Sequence, residues 1–216
     1  MESQGVNQPE DNHEELEEQI SDMETHSINE KQLMTRVMIL LQGQLHQQGL
    51  NHLTVTQGAK LTYALEVVAY DRNGNHQQTG SRYETDLLVY ENLDDSRWKP
   101  RVVIEGKLGS VTTHDAITYS QKALTHKNVH PYVRYGILLG NRKHYPLPGR
   151  LFRHGAYFDF MLSFVSVEPS AEELDDLARL IVDEVEASKN LEEILYNSRN
   201  PKRKRYTVLH RPLRLK

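Results

Sequence analysis

The stretch Arg101-Val102-Val103-Ile104-Glu105-Gly106-Lys107-Leu108 decides how this chain is read. Val102, Val103 and Ile104 are consecutive β-branched residues, which favour the extended backbone. The run then ends in Glu-Gly-Lys. Side chains two apart along a strand point the same way, so Glu105 and Lys107 share one face. Downstream, Thr113 to Lys127 reads as a helix with Ile117, Ser120, Gln121 and Leu124 along one side. Tyr132 to Leu139 follows as an apolar and central strand. Upstream, Tyr83 to Glu91 reads as a strand that carries Asp86.

Further out, the periodicity predicts a helix over residues 29–48. Leu33, Met34, Val37, Met38, Leu41 and Leu45 fall on one face, Asn29 caps its start and Gly49 ends it. Lys60 to Asp71 fits two patterns. Leu61, Tyr63, Leu65, Val67 and Ala69 alternate as in a strand, while Leu61, Ala64, Leu65 and Val68 would suit a helix. The Val67-Val68 pair and the Asn73-Gly74 turn favour a strand entering a hairpin. Pro146 to Gly149 reads as a loop and Ala156 to Val167 as a further strand. A last helix begins at Ser170, with Glu173 at capping-box spacing, and runs to Tyr196. The predicted order is α-β-β-β-α-β, then β and α. A hairpin followed by a crossover helix implies an α/β mixed sheet with helices on its faces.

The chain has 216 residues and a net charge of −4, which taken whole argues against a polyanionic partner. The charge is not evenly spread. Residues 1–30 hold ten acids and no Lys or Arg, so the remaining 186 residues carry 26 bases against 20 acids. Residues 97–164 hold eleven bases against three acids, and residues 168–193 hold ten acids against Arg179 and Lys189. From Tyr196 to Lys216 there are eight bases and no acid. This divides the chain into an acidic tail over 1–28, expected to be disordered, one domain over 29–196, and a basic arm over 197–216.

The chain contains no Cys, which excludes disulfides and thiolate-bound zinc or iron–sulfur clusters. No apolar run approaches the roughly 18–20 residues that cross a bilayer, and the N-terminus lacks signal-peptide character. An intracellular protein with no membrane partner is the expectation. No glycine-rich phosphate loop is present, and Ser110 and Ser120 lack a nucleophile-elbow setting. His126 and His130 lie four apart, but Pro131 follows and no acidic ligand is near.

If the strands pair as a meander, Asp86 reaches the face that holds Glu105 and Lys107. Two carboxylates and an amine then converge inside an apolar sheet. Close carboxylates repel unless a positive charge lies between them. Magnesium supplies one, taking hard oxygen ligands and keeping water positions open. The alternative is an exposed ion pair between Glu105 and Lys107 on a half-solvated sheet.

Glu84-Thr85-Asp86 with Val102-Val103-Ile104-Glu105-Gly106-Lys107 resembles the PD-(D/E)xK nuclease superfamily, whose core is likewise α-β-β-β-α-β. The likeness spans roughly residues 30 to 140. It differs in having Thr85 where the family often has Pro. The resemblance implies a restriction-endonuclease-like fold and a Mg2+-dependent nuclease, with Mn2+ able to substitute. It implies Asp86 and Glu105 as metal ligands and Lys107 as the catalytic lysine. The helix after the Glu-x-Lys strand often adds a polar group in that family, which points to Gln121 or Lys122, with His114 and Asp115 at the entrance. Glu84, two residues before Asp86, is a further candidate ligand. Glu30 is the only acid on the first helix, at its edge.

The resemblance implies DNA as the substrate, cut by a restriction-type or repair-type endonuclease, with RNA as a second option and a homodimer as the usual form. Lys99, Arg101, Lys122, Lys127, Arg134, Arg142, Lys143, Arg150 and Arg153 flank the motif and would line a phosphate-binding groove. A non-catalytic nucleic-acid-binding module on the same fold is the rival reading. Pro201-Lys202-Arg203-Lys204-Arg205 reads as a backbone-binding arm, a nuclear localisation signal or a solubilising tail; the expected place is intracellular, the cytoplasm in a prokaryote and, on the signal reading, the nucleus.

Overall fold

Three helices begin at the same kind of cap. In each, a polar side chain at the cap accepts a backbone N–H three residues on, and the residue there bonds back to the cap's own N–H. The pairs are Asn29 with Gln32, Thr112 with Asp115, and Ser170 with Glu173. They open α1 (Glu30–Gln47), α2 (Thr113–Val129) and α4 (Ala171–Tyr196). A six-residue α3 (Gly149–His154) lies between α2 and α4. These elements come from a computed structural model that describes residues 28–94, 96–143, 147–197 and 199–202. The acidic tail over 1–28 lies outside those residues except for Ile28, as does most of the basic arm, including Arg203, Lys204 and Arg205.

The strands are β1 (Leu53–Gln57), β2 (Lys60–Tyr70), β3 (His76–Glu84), β4 (Leu87–Asn92), β5 (Trp98–Leu108), β6 (Arg134–Gly140) and β7 (Phe160–Ser163). Five of them form one mixed sheet in the order β1-β4-β5-β6-β7. The β1–β4 and β4–β5 pairs are antiparallel, and β5–β6 and β6–β7 are parallel. Helix α2 makes the crossover between β5 and β6. The chain is therefore mixed α/β, with a five-stranded mixed sheet flanked by helices.

The register divides β5 between two cores. Val102 and Ile104 pack with Leu33, Val37 and Leu41 of α1 and with Leu177 and Ile181 of α4. Val103 faces the other way, towards Ala116 and Ala123 of α2 and Tyr135 and Ile137 of β6. Gly106 lies on the α1 side, where a Cβ would come within 2.4 Å of the Met34 sulfur. Its missing side chain lets α1 sit directly on the sheet.

The first strand of the sheet differs from the expectation. The segment over 60–71 does form a strand, over Lys60–Tyr70, but among the described residues it pairs with β3 alone in a separate two-stranded sheet. The sheet edge is instead β1, five residues in which Leu53 and Val55 are buried. From Leu65 to Tyr83 the hairpin is exposed along both strands, so it stands out from the body as an arm. Its turn is held by Asp71, which accepts from the backbone of Asn73 and Asn75, with Gly74 at φ +83°. The predicted strand over 83–91 is broken at Thr85 and Asp86, between β3 and β4. Thr85 is buried there and donates both its N–H and its hydroxyl to the Ala59 carbonyl, which fastens the arm to the sheet. Proline at this position would lack that N–H. The strand predicted over 156–167 contracts to β7; of the predicted 146–149 loop, Pro146 lies outside the described residues and Gly149 begins α3.

Candidate functional site: a buried carboxylate pair under α2

Asp86 precedes β4 at the point where that strand meets the end of β5. Leu87 pairs with Ile104 and Leu88 with Val103. Continuing this antiparallel register by one residue sets Asp86 opposite Glu105. Opposed residues in such a pair have Cβ atoms roughly 4.5–5.5 Å apart on the same face. That face is the α2 side. Asp86 Oδ2 also accepts the Gly106 N–H at 2.8 Å, which fixes it beside the Glu-Gly-Lys segment.

Glu105 is only 1% exposed. The reading of Glu105 and Lys107 as a solvated ion pair does not survive this burial. Two groups donate to its carboxylate. The Tyr135 hydroxyl donates to Oε1 at 2.5 Å. The Lys122 ammonium donates to Oε2 at 2.9 Å, and also to the Glu84 backbone carbonyl at 2.9 Å. Burial is the main cause that raises the Glu105 pKa; the Lys122 charge pulls it down, and the Asp86 charge pushes it up again. The net direction is upward, so burial here works against the charged form of Glu105.

Lys107 points to other acids. Its ammonium is 3.1 Å from Glu30 Oε1, in the first turn of α1, and 3.9 Å from Asp115 Oδ1, in the first turn of α2. Tyr119, also on α2, lies within the field of the whole group. Burial first, then the charges of Glu30, Asp115, Asp86 and Glu105, push its phenol pKa well up. Four carboxylates and two lysines thus meet at the ends of β5, α1 and α2.

Of the residues singled out in the sequence, Asp86 and Glu105 are brought together. Lys107 shares their strand end but binds Glu30 and Asp115. Gln121 is exposed on α2, and it is the neighbouring Lys122 that reaches Glu105. Glu84 is exposed and offers the group its backbone carbonyl; its carboxylate oxygen lies instead 3.5 Å from where a Gly58 Cβ would stand. Glu30 joins the group through Lys107. Tyr135 is a site residue that sequence reasoning missed. It lies inside an apolar strand and reads as core, and only the pairing of Val103 with Tyr135 across β5 and β6 brings its hydroxyl to Glu105. Its ring stacks on His126 at 5.6 Å between centroids. Burial pushes the His126 pKa down to about 4, so this imidazole is neutral at physiological pH.

The donor set is made of hard oxygens: two carboxylates on one face and a backbone carbonyl beside them. Magnesium takes such a set, completing its six positions with water. Among the described residues no group of three or more His, Cys, Asp or Glu is arranged to hold a metal, so the side-chain share would be the two carboxylates, with the Glu84 carbonyl beside them.

The basic groove expected from residues 97–164 is not what the bases form. Lys99 pairs with Glu192, and Arg101 pairs with Glu91 and Glu192. Lys127 pairs with Asp159, and Arg134 pairs with Asp159 and Glu184. Arg142 is buried, donating to the Gly109 carbonyl. With Lys122 on Glu105, six of the nine expected groove residues serve internal contacts. The acids of α4 answer the bases of the sheet, which explains why both blocks occur in one chain. No protein-family model matches the chain, and no curated protein matches it in sequence. Among the described residues, no helix is long and apolar enough to cross a membrane.

Proposed function

We propose that the chain is a divalent-metal-dependent nuclease of the PD-(D/E)xK kind. The observation that carries this reading is the juxtaposition of Asp86 and Glu105 on one face at the strand ends, with Lys107 two residues along. The order α1-β1-β4-β5-α2-β6 supports it too. It gives the α-β-β-β-α-β core of the family, with the β2–β3 arm inserted between the first two strands. The substrate proposed is DNA, with RNA second.

In this reading Asp86 and Glu105 would hold magnesium, which supplies a water of lowered pKa and positive charge near the scissile phosphate. Tyr135 orients Glu105 through its hydroxyl. Lys107 stands at the mouth of the site, released from Glu30 to stabilise charge on the phosphate oxygens or to handle the proton of the attacking water. Such groups typically contribute about 10²–10⁴-fold in rate.

The test is magnesium-dependent cleavage of plasmid, linear and single-stranded DNA and of RNA by the full chain. Wild type should cut at least one of them, chelator should abolish it, and Glu105→Gln and Lys107→Ala should lose about 10²-fold or more. Equal background cleavage by all three proteins would leave the rival, a non-catalytic nucleic-acid-binding module. That rival draws on one observation, that both oxygens of Glu105 and the ammonium of Lys107 already have partners.

A further inference from the structure

The Lys122 ammonium sits among the oxygens that a hard cation would take. It is 2.9 Å from Glu105 Oε2 and 2.9 Å from the Glu84 carbonyl oxygen, with Asp86 on the same face. Of the two groups that donate to Glu105, Tyr135 is fully buried on β6 and held from behind by His126. Its backbone N–H is also fixed, by Asp159 at 2.8 Å. Lys122 is different. It reaches in from α2 on a flexible four-carbon stem, and its side chain is 19% exposed. If Glu105 is to ligate a metal, Lys122 is the donor that can make way.

The charge balance agrees. Four acids, Glu30, Asp86, Glu105 and Asp115, are set against two bases, Lys107 and Lys122. With both lysines in place, Glu105 carries one neutralising partner and Lys107 serves Glu30 and Asp115. A departing Lys122 leaves Asp86 and Glu105 as an uncompensated pair, which matches a doubly charged ion. Its ammonium already lies 5.9 Å from the Tyr83 ring centroid on the arm, and the face of an aromatic ring attracts a cation, so Lys122 keeps a second partner when it leaves Glu105.

We propose that Lys122 is an exchangeable internal cation: it occupies the ion's place on Glu105 when no metal is bound, and swings out when a divalent ion enters. This inference rests on the metal-dependent reading above and deepens it. Lys122 is then the residue that sets metal affinity, a positioning residue that acts through Glu105.

Two measurements on the full chain decide it. The first is calorimetric titration with Mn2+ alone. Lys122→Met should bind the ion roughly 10- to 100-fold more tightly than wild type, the worth of one charge-assisted hydrogen bond that no longer competes. Glu105→Gln should bind it far more weakly. Unchanged or weaker binding by Lys122→Met, with binding still lost in Glu105→Gln, overturns the exchange and leaves the metal site standing. No binding by any of the three proteins overturns both readings. The second measurement needs no loss of the side chain. The wild-type Lys122 ammonium resonance, assigned by its absence in Lys122→Arg, should be sharp without metal and vanish into rapid exchange with water as diamagnetic Mg2+ is added. A resonance unmoved at saturating Mg2+ overturns the proposal.

Discussion

Burial works against the charged form of Glu105, and the sign of that effect can be read in stability. Its folded pKa is raised above 4.5, with burial the largest cause. The folded state therefore binds more protons than the unfolded chain over a window that opens at 4.5 and extends upward. Stability falls as pH rises through that window, and below it the two states are protonated alike. Gln cannot ionise but still accepts from Tyr135. Glu105→Gln should therefore melt higher than wild type at neutral to mildly alkaline pH, and the two curves should converge below 4.5. Thermal unfolding across pH checks this, and a variant that melts lower at every pH would contradict it. Half of this site was legible as text. Glu105 and Lys107 share a face because strand alternation is a local rule, and Asp86 could be placed by assuming neighbouring strands. Tyr135 could not, because its hydroxyl reaches Glu105 only through pairing of strands 30 residues apart. Nor does a helix's spacing say which of two adjacent polar residues, Gln121 or Lys122, turns inward.

The contact between α1 and the sheet turns on the residue between Glu105 and Lys107. Gly106 is buried against Met34, whose sulfur and Cγ would stand 2.4 and 2.7 Å from an added Cβ. An alanine Cβ is fixed by the backbone, so Met34 or α1 has to shift to admit it. Gly106→Ala should cost about 1–3 kcal/mol, the usual range for an overpacked core. Met34→Ala opens the space that the new methyl needs, so the double variant should be less destabilised than the sum of the singles. A coupling of roughly 0.5–3 kcal/mol in a urea double-mutant cycle is expected; strict additivity would mean that the clash is relieved elsewhere. Helices such as α1 were readable because cap, face and stop agree within one segment: Asn29, the Leu33–Met34–Val37–Leu41–Leu45 stripe, and Gly49 at φ +76°. The strands were harder for a physical reason. Residues 60–70 have strand character wherever they pair, and nothing in Leu61 to Tyr70 says that the partner is β3 alone rather than the main sheet. The true edge, β1, is signalled only by Leu53 and Val55, two apolar residues in a run of five.

At the scale of the whole molecule, the charge blocks that first suggested a binding face act mainly as struts between layers. Arg101 on β5 is 3% exposed and joins Glu91 of β4 to Glu192 of α4, with Ser188 also in reach. Lys189 backs Glu91 and Lys99 backs Glu192. This asymmetry predicts which deletion hurts more. Arg101→Met removes the hub but leaves each carboxylate a lysine, and the methionine restores part of the buried stem. Replacing Glu91 and Glu192 together by Gln leaves the Arg101 guanidinium buried without an anion, a state that costs about 3–5 kcal/mol when a buried pair is broken from one side. The double Gln variant should therefore lose more stability in urea than Arg101→Met, and the triple variant should recover most of that loss. Arg101→Met as the costlier change would place the strength of the joint in the arginine's packing and not in its charge. The same accounting bears on nucleic acid. With Lys99, Arg101, Lys127 and Arg134 spoken for, few bases of the central block remain to release counterions. Binding of DNA by the described domain should then show a shallow salt dependence, a slope well below the magnitude of about eight expected if all nine groove candidates met phosphates. Affinity measured against salt for a chain over 28–202 tests this, and a slope of about eight would mean that these ion pairs open on the polyanion.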